Sequence, residues 1–129
     1  MDKMPRVSAK HSAIINESKQ TVLGQRVAIA RSFWQRGKGL MLRSGLPEGT
    51  GLVIDPCSSI HTFWMRFPID VLYVDKDGTV LRADSAMKPW RIGPLFVRHG
   101  RYVIELPAGT IERSGTRPGD RLRMDAGSA

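Results

Sequence analysis

The chain reads as a β-rich α+β fold: one domain built on a small, barrel-like mixed sheet with two short helices. Three observations lead there. The apolar residues fall into many short runs, none long enough for an extended helix. Thirteen glycines and eight prolines break those runs at close intervals, which is the turn chemistry that many short strands need. Helix signals occur at only two places, and glycine cuts both short.

The elements follow in order. Residues 1–10 are polar and basic and are expected to be a disordered segment. Ser12–Ile15 and Thr21–Ile29 are predicted strands, with Asn16–Gln20 as the hairpin loop between them. Ser32 followed by Gln35 has the spacing of a capping box, and Gly37 and Gly39 end that helix early. Leu46–Gly51 is turn sequence, and Leu52–Ile54 a buried strand. Alternation from Thr62 predicts a further strand, with Phe63 and Met65 on one side and Trp64 and Arg66 on the other. After Pro68 the strand resumes as Ile69–Val74, turns at Asp75–Gly78 and pairs back through Thr79–Ala83. Residues 86–100, with Pro89, Trp90, Gly93 and Pro94, form a connection whose length marks a functional segment or flap. A strand at Arg101–Leu106 turns at Pro107 and Gly109 into a helix that runs through Arg113 and is capped by Gly115. A β-turn at Arg117–Asp120 leads to the last strand, Arg121–Met124. The domain is thus 11–124, with 125–129 as a tail.

A chain of 129 residues can bury one core but not two ordinary ones. No window approaches the roughly 18 apolar residues of a membrane span, and the first twenty residues lack the apolar stretch of a signal peptide. One cysteine excludes an internal disulfide and a cysteine-based zinc cluster. Together these lead to the expectation of a cytoplasmic protein without a membrane span, a metal or a cofactor.

The net charge of +8 is unevenly placed. Lys19, Arg26, Arg31, Arg36, Lys38 and Arg43 lie between Glu17 and Glu48 with no acid among them. Lys88, Arg91, Arg98 and Arg101 repeat the pattern between Asp84 and Glu105. Brought together, the stretches at 19–43 and 88–101 would make a face for anions or nucleic acid. Neither interleaves aromatics with bases as single-strand binders do, which favours an ordinary solvated surface.

The segment Cys57–Gly78 concentrates the reactive side chains. Cys57 and His61 would make a thiol–imidazole pair if an acid such as Asp55, Asp70 or Glu105 oriented the ring. The surrounding sequence carries no cysteine-hydrolase signature, so a packed Cys57 and a hydrogen-bonded His61 are the simpler reading. Alternation beside Ile104 and Leu106 puts Glu105 at the rim or exposed, within reach of Arg66, Arg101 or Arg113. Asp75 and Asp77 belong to a hairpin rather than a calcium loop, which would need a following bidentate glutamate. Phe63, Trp64, Met65, Arg66, Trp90 and Arg91 are the candidate binding residues, an aromatic surface rimmed by arginine. The expectation is that the Trp64 crossing and the 86–100 flap close over a shared hollow.

Three blocks in order carry a family resemblance: Gly39-Leu40-Met41-Leu42-Arg43; Phe63-Trp64-Met65 leading into Pro68-Ile69-Asp70-Val71; and Glu105-Leu106-Pro107-Ala108-Gly109 followed by Gly119-Asp120. Together they resemble the prokaryotic family called domain of unknown function 192, over about residues 21–124. The resemblance implies a compact, barrel-like β domain and supplies no activity, cofactor or catalytic set. The family pattern more often places an asparagine–threonine pair after the methionine, where this chain continues directly with Arg66-Phe67-Pro68.

The residues therefore favour a non-enzymatic accessory module that binds a small molecule or protein through the 57–67 loop and the 86–100 flap. A thiol-dependent hydrolase using Cys57 and His61, and nucleic-acid binding through the two basic stretches, are the alternatives.

Overall fold

The first hairpin forms where apolar alternation meets a polar turn: β1 (His11–Asn16) pairs antiparallel with β2 (Thr21–Ala30) across residues 17–20. The computed structural model describes residues 11–31, 44–63 and 65–126. β2 then pairs in parallel with β3 (Thr50–Ile54), in register from Arg26 opposite Thr50 to Ala30 opposite Ile54. β4 (Ile69–Val74), β5 (Val80–Met87) and β6 (Tyr102–Pro107) follow, then α1 (Thr110–Ser114) and β7 (Leu122–Ala126). All other pairings are antiparallel, in the order β5-β4-β6-β3-β2-β1-β7. The expected helix at Ser32, and Arg36, Lys38 and Arg43, fall outside the described residues; α1 is the one helix among those described.

The sheet curls until its two edge strands meet. Thr79 bridges Arg121, the Leu122 N–H donates to the Gly78 carbonyl at 2.7 Å, and the Val80 N–H donates to the Asp120 carbonyl at 2.9 Å. Gly78 makes this seam possible. Its φ of 91° is left-handed, and a Cβ there would lie 2.6 Å from the Leu122 carbonyl oxygen. The seam is held from the side by Asp120, which accepts hydrogen bonds from Lys19 Nζ (2.8 Å), Asn16 Nδ2 (2.9 Å) and the Arg117 N–H (3.0 Å). Burial opposes ionisation of Asp120, but the bonds from Asn16, Lys19 and Arg117 outweigh it and hold the carboxyl below its ordinary range.

Curling gives the sheet two apolar faces. Ile14, Val27, Val53, Leu72, Val80, Ile104 and Leu122, from every strand, fill the inside, and Ile111 of α1 packs onto them. The outer face carries Leu52, Ile54, Ile69, Val71, Tyr73 and Val103, covered by Cys57, Ile60, Met65, Phe67, Met87 and Val97. All six residues of β4 are buried as a result, and a strand covered on both faces reads as an apolar run rather than an alternation.

Two expectations are corrected here. Residues 62–63 and 65–66 are loop rather than strand, with an isolated bridge between His61 and Ile92. At Thr62 the backbone partners come from the flap, Arg91 and Trp90, rather than from a neighbouring strand. Glu105 is not at the rim. It is 5% exposed, on the outer apolar face opposite Leu52 and Val71, because loops cover the side of β6 that alternation assigned to solvent. Two of its proposed partners are engaged elsewhere: Arg101 pairs with Asp55 (3.0 Å) and Arg113 with Glu48 (3.6 Å).

Candidate functional site

The loop after β3 and the flap after β5 lie side by side, joined mainly by backbone hydrogen bonds. Val97 N–H donates to Ser58 O (3.2 Å), Gly93 N–H to Ile60 O (3.0 Å), Thr62 N–H to Arg91 O (2.8 Å) and Trp90 N–H to Thr62 O (2.9 Å). Thr62 is the residue that sequence reasoning missed. Fully buried, it also donates from Oγ1 to Lys88 O (2.6 Å) and accepts at Oγ1 from the Arg91 N–H (2.8 Å). A buried threonine between aromatics gives little warning of this role, since its partners are backbone atoms some thirty residues away.

The aromatic side chains follow this ladder. The His61 and Phe63 rings are 4.8 Å apart, and Phe63 stacks on Trp90 with centroids at 5.9 Å. Trp90 sits at φ 63°, a left-handed backbone that bulky side chains rarely adopt. Its N–H bond to Thr62 accompanies that conformation, and the ring is held half out of the protein. Trp64 lies outside the described residues. Met65 is 4% exposed and packs beneath the loop, while Arg66 and Arg91 are exposed.

The described part of the loop and the flap are bonded directly along this ladder. A shallow groove of about 520 Å³ lies between β5 and the flap, with Arg82, Asp84 and Met87 on one wall and Arg91, Ile92 and Pro94 on the other. Gly93 also lines it and covers Tyr73, whose Oη would lie 2.8 Å from any Cβ added at Gly93. Burial, and then the Asp84 charge, push the Tyr73 phenol well above its ordinary value, so it stays protonated.

The weaker catalytic candidates are placed apart in role. Cys57 Sγ–H donates to the Ser59 carbonyl at 2.8 Å, and His61 Nδ1 accepts from the Phe63 N–H at 3.1 Å. Asp70 has no exposure and faces the other side of the sheet. One of its oxygens accepts from the Ala86 N–H (2.7 Å), the other from Gly109 (3.1 Å) and Ile111 (2.8 Å) at the start of α1. The N–H groups at that strand-to-helix corner are thus met from within the chain. Among the described residues no group of three or more histidine, cysteine, aspartate or glutamate side chains is arranged to hold a metal ion.

The outermost part of the flap is apolar. Leu95 is 85% exposed, Phe96 67%, Ile92 62% and Trp90 52%; Val22 is the remaining exposed large apolar residue among those described.

Comparisons with known proteins agree with this architecture. The chain is 36% identical over 115 residues to a UPF0127 protein of Pyrococcus horikoshii, covering 85% of this chain and 96% of that one. It is 35% identical over 119 residues to a UPF0127 protein of Thermococcus sibiricus, covering 84% and 72%. Its fold matches a Sinorhizobium meliloti crystal structure, described as a candidate transcription regulator, with TM-score 0.80 and 27% identity over 95% of this chain and 98% of that one. A Novosphingobium aromaticivorans protein of unknown function shares the fold with TM-score 0.75, 21% identity and coverage of 95% and 99%. The family model described as "Uncharacterized ACR" matches residues 13–124, from the first strand of the sheet to the last. The chain therefore belongs to that family, domain of unknown function 192.

Proposed function

We propose that this chain is a non-enzymatic binding module whose partner meets the flap and the adjoining loop. One observation carries the reading: Trp90, Ile92, Leu95 and Phe96, four of the five exposed large apolar side chains among the described residues, fall within a single turn of chain. Scattered apolar residues on a surface need no explanation, whereas a contiguous cluster beside exposed bases does. The left-handed backbone at Trp90 supports it, since strain of about 1–3 kcal/mol persists where a presented side chain is worth it.

The test separates presentation from packing. Immobilised wild-type and Trp90→Ala chains are compared for what they retain, protein and lipid alike, and for their thermal melts. Retention should fall with the melt nearly unchanged. Trp90→Gly should bind as poorly as Trp90→Ala yet melt higher, because glycine relieves a strain of about 1 kcal/mol at positive φ. A large loss of melting temperature in both variants would make Trp90 a packing residue and remove the reading.

Two other readings have less support. A thiol enzyme needs Cys57 as thiolate, but its Sγ–H is a donor to a carbonyl and His61 Nδ1 is occupied by a backbone N–H. Labelling of Cys57 well below about pH 8 would revive it. Nucleic-acid binding, the class suggested by the name of the Sinorhizobium meliloti neighbour, would use the flap's bases with the rings of Trp90 and Phe96 as stacking faces, and it leaves the exposed Ile92 and Leu95 without a role. A steep fall of RNA or DNA affinity with salt would favour it.

A further inference from the structure

We propose that the flap docks this protein onto anionic lipid surfaces, with Leu95 and Phe96 entering the headgroup region and Lys88, Arg91 and Arg98 against the phosphates. The inference rests on the reading of the flap as a binding surface and names its partner. Leu95 and Phe96, at 85% and 67% exposure, stand clear of the domain, where water solvates them. A bilayer interface accepts such projecting side chains without a complementary groove, and an exposed tryptophan such as Trp90 suits the headgroup level. The bases surround the tip: Lys88, Arg91 and Arg98 are exposed, and none forms an ion pair among the described residues. No acid lies between Asp84 and Glu105.

Charge and shape weigh against the other occupants. A second copy meeting this patch through a two-fold axis would set Arg91 and Arg98 against their own counterparts. A protein partner would need pockets for Leu95 and Phe96 together with acids for the bases, which is a narrower requirement than an anionic bilayer meets by composition alone.

The full chain is tested by sedimentation with phosphatidylcholine vesicles and with equimolar phosphatidylcholine–phosphatidylglycerol vesicles. Each base near an anionic surface contributes about fivefold, so three of them predict about 100-fold tighter binding to the mixed vesicles. That preference should shrink as salt is raised. Leu95→Glu with Phe96→Glu should lower binding to the mixed vesicles at least about tenfold, with an unchanged melt because neither side chain is packed. Wild-type chains that ignore vesicles, or bind both kinds equally, overturn the proposal, as does a wild-type dimer in gel filtration that the double variant abolishes. If vesicle binding fails while retention of a protein still depends on Trp90, the binding-module reading survives and the lipid partner does not. If both fail, both are wrong.

Discussion

A carboxylate with no exposure must find donors within the chain, and Asp70 finds them in three backbone N–H groups. They come from the bulged end of β5 and the start of α1, so a single side chain ties a strand to the helix that closes the inner core. Asp70→Asn keeps the shape but turns one acceptor oxygen into a donor facing N–H groups. We expect a loss of about 3 kcal/mol or more, or roughly 10 °C in melting temperature for a domain of this size. A shift under about 1 kcal/mol would show that the bonds are dispensable. The sequence offered a clue, an acid within the apolar run Ile69–Val74, which a strand tolerates only when its neighbours supply donors. Glu105 offered no such clue: alternation assigns it to solvent, and only the loops covering the outer face reverse that.

At the scale of elements, the flap depends on borrowed hydrogen bonds. Its backbone has no strand partner of its own and takes Ser58, Ile60 and Thr62 instead. Thr62→Val keeps the volume and removes the Oγ1 bonds to Lys88 and Arg91, which should cost about 1–3 kcal/mol. The Arg91 amide should then exchange with solvent faster than amides of β4, and Thr62→Ser should restore its protection. Unchanged exchange at Arg91 in the valine variant would mean the staple is not Thr62. The composition of residues 86–100 announced a flap; β5 runs on to Met87, and from Lys88 the prolines and glycines do exclude regular structure. What it docks against was hidden, because the pairing runs between two irregular segments whose bonds carry no side-chain pattern.

For the whole molecule, the seam between β5 and β7 turns an open sheet into a curled one, and Asp120 braces it from the side. Its depressed carboxyl pKa fixes the sign of the acid response. The stabilisation is complete above the ordinary carboxylate value of 3.8 and is lost as pH falls through the lower folded value. Below about pH 4 the wild-type melt should therefore fall more steeply with pH than that of Asp120→Asn. Parallel slopes would mean that Asp120 ionises alike in the folded and unfolded chain.

Local chemistry was enough to place β1, β2, β3, β4, β6, the short helix ended by Gly115 and the turn before β7, because apolar runs and turn residues act over a few positions. The density of short runs and turns pointed to a small barrel-like mixed sheet, and the family resemblance implied the same. Tertiary structure alone decided that the sheet closes on itself, that loops give it a second buried face, and that the exposed apolar residues gather on the flap. These depend on contacts between residues far apart in the chain, and burial is a property of everything packed around a residue rather than of its neighbours in sequence.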